Sequence, residues 1–136
     1  MATILLIEED DDARPILRHN LLREGYVVLL AVDEASALDW LAAGRASADL
    51  ILINLIDKTV DEVLDSARRV RERNGPDGST PVVVIAERYD EELEGRDVSA
   101  GAGEWVTYME DADQLNALLG RLTAGRGGGG GRRVAG

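Results

Sequence analysis

Two places in the chain carry side chains whose type and spacing could do chemistry. One is a run of five consecutive carboxylates, Glu8-Glu9-Asp10-Asp11-Asp12, which directly follows the apolar stretch Thr3–Ile7. The other is a lone amide, Asn54, near the end of the apolar stretch Asp49-Leu50-Ile51-Leu52-Ile53-Asn54-Leu55. Carboxylates are hard oxygen ligands, so Glu9 and Asp10 could hold a divalent cation. The same charges also suit a helix N-terminus, whose dipole favours negative groups, and Asp11 or Asp12 is placed to cap one. Both readings stay open. The chain has no cysteine, which excludes disulfides, thiolate metal sites and thiol nucleophiles. Its single histidine, His19, has no Ser, Cys or second His arranged around it and reads as structural.

The stretch ending at Asn54 and Leu55 is apolar on nearly every position, as in a strand buried on both faces, and is expected to be the central strand. Three similar runs, Thr3–Ile7, Tyr26–Ala31 and Pro81–Ala86, and a weaker one, Glu104–Tyr108 after Gly101-Ala102-Gly103, predict the others. Strands alternating with helices imply a parallel sheet covered on both faces, whose ligands lie beyond the carboxyl ends of the strands. The acid run and Asn54 both fall at such ends.

Helical stretches carry their own signals. The first places Ile16, Leu17, Leu21 and Leu22 inward, tolerates Pro15 in its first turn and stops at Gly25. Asp33 is expected to cap a second helix that holds Ala37, Leu38 and Leu41, with Trp40 as a packing residue and Gly44 at its end. After the loop Asp57-Lys58-Thr59, the positions of Val60, Val63, Leu64, Ala67 and Val70 mark an amphipathic helix, followed by an exposed turn at Asn74–Ser79. The segment Glu87–Arg96 has a poor apolar stripe and contains Gly95, so its helix is expected to be short or irregular. Asp111 is expected to cap the last helix, with Leu115, Leu118, Leu119 and Leu122 inward. Residues 125–136 are rich in Gly and Arg and read as a flexible tail or linker behind one domain, residues 1–124.

With 136 residues, 45% of them apolar, the chain can bury a real core. Its 26 acidic residues against 15 basic ones, net -11, would repel nucleic acid. No run reaches the roughly 18 apolar residues that span a bilayer, and the N-terminus lacks a basic-then-apolar signal, so a soluble cytoplasmic protein is expected.

Five βα units, the acid cluster after strand one, Asp49–Asn54 in the middle and Gly101-Ala102 before the last strand together resemble the receiver domain of two-component response regulators. The resemblance covers residues 2–124 and implies a flavodoxin-like sheet of five strands, order 2-1-3-4-5, with five helices. In that family an aspartate at the end of strand three accepts a phosphoryl group from a histidine kinase; here Asn54 stands there. The acid pair that holds the family's magnesium matches Glu9 and Asp10. The Ser or Thr ending strand four is Ala86, the Lys-Pro ending strand five is Tyr108-Met109, and the Pro four residues past the acceptor is Lys58.

What the resemblance implies is therefore a pseudo-receiver that works by protein contacts, is not an enzyme, needs no cofactor and binds Mg²⁺ weakly at most. Its expected contact surface is the face of helix four, strand five and helix five, with a homodimer as a second candidate. Trp105 stands where the family has a Tyr or Phe that moves inward on activation; the space left by Ala86 could hold the indole inward, or Trp105 is ordinary half-buried packing. The alternative is a receiver still phosphorylated, with Mg²⁺, on Asp57 or Asp10. A flavin-binding flavodoxin is disfavoured because Glu8–Asp12 would repel a phosphate.

Overall fold

A computed structural model describes residues 1–44, 47–75, 78–87 and 89–125. The elements are β1 (Thr3–Glu8), α1 (Ala13–Arg23), β2 (Val27–Ala31), α2 (Glu34–Ala42), β3 (Leu50–Asn54), α3 (Val60–Asn74), β4 (Val82–Ile85), β5 (Arg96–Gly101), β6 (Glu104–Tyr108) and α4 (Ala112–Thr123). They form one sheet of order β2-β1-β3-β4-β6-β5, in which β5 alone runs antiparallel to its neighbour. The flavodoxin-like parallel core is as expected. The count is not: among the described residues there are six strands and four helices, rather than five of each. The expected tail from residue 126 on, and Pro76, Asp77 and Arg88, lie outside the described residues.

β3 is buried at all five positions and sits between β1 and β4, so it is the central strand. Alternation sends its side chains to both faces. Ile51 and Ile53 join Leu5, Ile7 and Val84 under Val63, Leu64 and Ala67 of α3 and Ala37 and Leu41 of α2. Leu50 and Leu52 join Ile4, Leu6 and Val83 under Leu21 of α1 and Leu115, Leu118 and Leu119 of α4. Thr59 and Glu62 form a reciprocal capping box on α3, and Asp33 and Asp111 cap α2 and α4 as expected. Two expectations fail on α1. Ile16 and Leu22 are exposed, because only Leu17 and Leu21 face the sheet. Trp40 likewise lies at the surface of α2 rather than in the core.

The expected fourth helix is replaced by turns and the edge strand β5. Gly95 adopts φ 82°, a conformation that stops a helix and suits glycine, and its N–H donates to the Tyr108 carbonyl at 2.8 Å, which starts the antiparallel pairing. Asp97 then fixes the strand: its Oδ1 accepts from Thr107 Oγ1 at 2.8 Å and from Gln114 Nε2 of α4 at 2.9 Å. Gly101-Ala102-Gly103 forms the tip of this hairpin.

A buried ion cluster ties the hairpin to α3. Glu104, 6% exposed, accepts from Arg68 Nε at 3.1 Å and Nη2 at 2.7 Å, and from Arg71 Nη2 at 2.6 Å. A side chain at Gly101 would start 2.7 Å from the Glu104 carboxylate, so this glycine makes room for the cluster. The Arg68 hydrogen bond, then that of Arg71, holds the Glu104 carboxyl below the usual carboxylate range despite its burial. A depressed folded-state pKa gives stability that is present above the ordinary value and lost as pH falls through the folded one. Glu104→Ala should therefore lower stability at pH 7 by about 3 kcal/mol, the lower end for a broken buried pair because Arg68 is partly exposed. That difference should shrink on acidification below about pH 4. Denaturant titrations across pH check this, and equal stability at pH 7 would contradict it.

Candidate functional site

Glu8 ends β1 and Asn54 ends β3, and the parallel register sets them side by side. Alternation places both on the face that carries Ile4, Leu6, Leu50 and Leu52. Asn54 Nδ2 donates to both oxygens of Glu8, at 3.0 and 3.1 Å. The carboxylate is fully buried, Asn54 is nearly so, and among the described residues Asn54 Oδ1 has no partner. Burial pushes the Glu8 carboxyl up; the Asn54 and Asp10 N–H donors act against this, and the charges of Asp10 and Glu87 add to it.

The next two acids, Glu9 and Asp10, are turned to backbone N–H groups. Glu9 Oε1 accepts from Ile56 N at 2.6 Å, which ties the end of β1 to the loop after β3. Asp10 Oδ1 accepts from the N–H groups of Asp12 and Ala13, so Asp10 caps α1 rather than Asp11 or Asp12. Arg14 braces the run. Its Nε and Nη2 donate to the carbonyls of Glu8 and Glu9, and Nη1 pairs with Asp11 at 2.8 Å. The donor set suits a hard divalent cation in kind, through Glu8, Glu9 and the unpartnered Asn54 Oδ1. In number it falls short, since among the described residues no three carboxylate or imidazole groups converge.

Sequence reasoning had singled out Glu9 and Asp10, whereas the side chain that meets Asn54 is Glu8. Its place on the last position of β1, on the same face as Ile4 and Leu6, is the signal that could have shown it. The remaining expected positions do not converge on the pair. Ala86 is buried on the α2 and α3 side of the sheet, whereas Trp105 packs half-buried against the opposite cluster with the Arg121 guanidinium 5.9 Å from its ring. The indole thus does not fill the space left by Ala86. The Tyr108 ring stands edge-on to Tyr89, with centroids 5.4 Å apart. Asp57 is exposed, has φ 57°, and borders a cleft of about 420 Å³ between α3 and β4.

No protein-family model matches the chain. It is 32% identical over 123 residues, 89% of its length, to the response regulator MprA of Mycobacterium tuberculosis, and spans 49% of that protein. The chain thus covers about half the length of the curated relatives of this kind. Among solved structures it is similar to a response regulator from Thermotoga maritima, with a TM-score of 0.66 and 24% identity over 91% of this chain and 98% of that one. It is also similar to the receiver domain of a sensor histidine kinase from Pseudomonas aeruginosa, which has a magnesium ion coordinated in its active site cleft. There the TM-score is 0.63 and identity 22%, over 90% of this chain and 98% of that one. At these identities the structures establish the fold.

The Glu8–Asn54 pair makes a prediction about pH. A raised folded-state pKa means that Glu8 favours folding most below its ordinary value near 4.5, and that this contribution is lost as pH rises through the folded value. Glu8→Gln removes the buried charge, keeps an oxygen for Asn54 Nδ2 and offers an N–H to Asn54 Oδ1. At pH 7 it should be more stable than the parent by about 1 kcal/mol, a few degrees in Tm. The gap should close towards pH 4. A variant less stable at pH 7, by calorimetry, would mean that the ionised carboxylate is held favourably.

Proposed function

We propose that the chain is a response-regulator receiver domain, as its similarity to such proteins supports, and that it is a pseudo-receiver that signals by protein contacts without being phosphorylated. The observation that carries this reading is the Asn54 amide at the buried end of β3, with its N–H groups directed at Glu8. A phosphoryl acceptor must present a nucleophilic oxygen, and a neutral amide is a very poor one. Ala86 has no hydroxyl to steady a transferred group, and Tyr108 has no cationic charge to neutralise it.

The substitute acceptors fit poorly. Asp10 is engaged in capping α1, and Asp57 lies exposed on the lip of the cleft, three residues past the end of β3. Neither stands where Asn54 stands. Mg²⁺ would then be a weak ligand of Glu8, Glu9 and Asn54, in the millimolar range. For the contact surface we favour β5, β6 and α4 around Trp105, because the family's middle helix on that face is replaced here by β5.

Incubation with acetyl phosphate and Mg²⁺, read by intact mass, tests the reading. No adduct of about 80 Da, the mass of a phosphoryl group, is expected. A Mg²⁺-dependent adduct lost on alkaline treatment would overturn it. Asn54→Asp alone should label slowly, because Ala86 and Tyr108 still leave the hydroxyl and charge positions empty.

A further inference from the structure

The cleft between the first turns of α3 and the carboxyl end of β4 combines an apolar floor with an acidic lip. Leu55, Val84 and Ala86 form the floor and are buried, while Asp57, Lys58, Glu62 and Glu87 stand at the lip. Beside it Tyr89 packs on the same apolar cluster, stacks edge-on with Tyr108 and donates to the Met109 carbonyl. At about 420 Å³ the cleft is in the size range of built ligand clefts.

Among the described residues, the charges at the lip do not cancel. Glu62 is bound to the Thr59 N–H within the capping box, and Lys58 lies near enough to Glu34 and Glu62 to lower their pKa values. Asp57 and Glu87 are exposed and make no ion pair among the described residues. Glu87 also adds to the field at Glu8, so the lip continues the acid surface at the ends of β1 and β3. Asp57 holds a left-handed backbone, uncommon outside glycine and found where a site over-determines the local conformation.

We propose that this cleft receives an arginine or lysine side chain of a protein partner, with its aliphatic stem on Leu55, Val84 and Ala86 and its cationic head between Asp57 and Glu87. The proposal rests on the interaction-module reading and gives that module a partner chemistry: a basic segment, drawn by a domain of net charge -11.

The test uses the isotope-labelled full chain, followed by amide NMR, and two probes: N-acetyl-argininamide and its neutral counterpart N-acetyl-citrullinamide. The arginine probe should give saturable shifts, in the millimolar range, at Asp57–Val63 and at Ala86 and Glu87, and the citrulline probe none. Ala86→Phe should abolish the shifts by filling the floor. Should that variant not fold, the surface changes Glu87→Gln and Asp57→Asn carry the test, and each should weaken binding about threefold. Equal shifts from both probes, shifts confined to Glu8–Asp12, unsaturated shifts, or surface variants without effect would overturn the proposal. Failure of the titration with no phosphoryl adduct removes the cleft alone. An adduct removes the interaction reading, whatever the titration shows.

Discussion

Glu8 is a buried carboxylate that makes no ion pair among the described residues, and the end of the sheet is arranged around it. Glu8 is fully buried at the point where β1 and β3 finish side by side. A buried charge needs hydrogen bonds or a counter-charge, since desolvation otherwise costs several kcal/mol. Asn54 supplies two N–H bonds and the Asp10 backbone a third. Were residue 54 an aspartate, two carboxylates about 3 Å apart would repel and would require a proton or a metal between them. The amide therefore removes much of the need for an ion at this strand end, and the neighbouring acids serve the backbone, Glu9 on the loop after β3 and Asp10 on α1.

The other departure from the expected architecture follows a similar economy of polar groups. An edge strand needs its inner N–H and C=O groups paired and its side chains anchored. β5 pairs with β6 on one side, and Asp97 links it to Thr107 and to Gln114 of α4, with Arg121 3.6 Å away. On the opposite face Glu104 draws Arg68 and Arg71 of α3 onto the start of β6. The hairpin is thus held from both layers of helices. Its tip can pass so close to Glu104 only because residue 101 is glycine.

Which parts of this were legible beforehand has a physical pattern. β1, β3 and β4 were readable because each is an apolar run buried on nearly every position, β2 and β6 more weakly, and α3 and α4 because their apolar residues recur at helical spacing. β5 was not: Arg96-Asp97-Val98-Ser99-Ala100-Gly101 is wet on nearly every position, so no periodicity marks it, and only its pairing makes it a strand. In the site, Asn54 stood out because it interrupts an apolar run, and its side chain meets Glu8 there. Glu8 was harder, since five adjacent carboxylates carry no internal ranking, and only the register of β1 against β3 selects the one that is buried. The tie between Glu104 and two arginines of α3 joins residues more than thirty positions apart and leaves no local trace.

A receiver that switches needs an element with two arrangements, biased by what happens at the strand ends. The segment that would carry such a change, from the end of β4 to β6, is pinned at several points. The Tyr89 hydroxyl donates to Met109 at 2.9 Å, its ring meets Tyr108, and Gly95 donates to the Tyr108 carbonyl. Trp105, on the other face, has its indole under Arg121. Moving any one of these would break the contacts just named. On the pseudo-receiver reading proposed above, such a domain offers a partner a fixed surface, and any change of state comes from that partner's own binding energy.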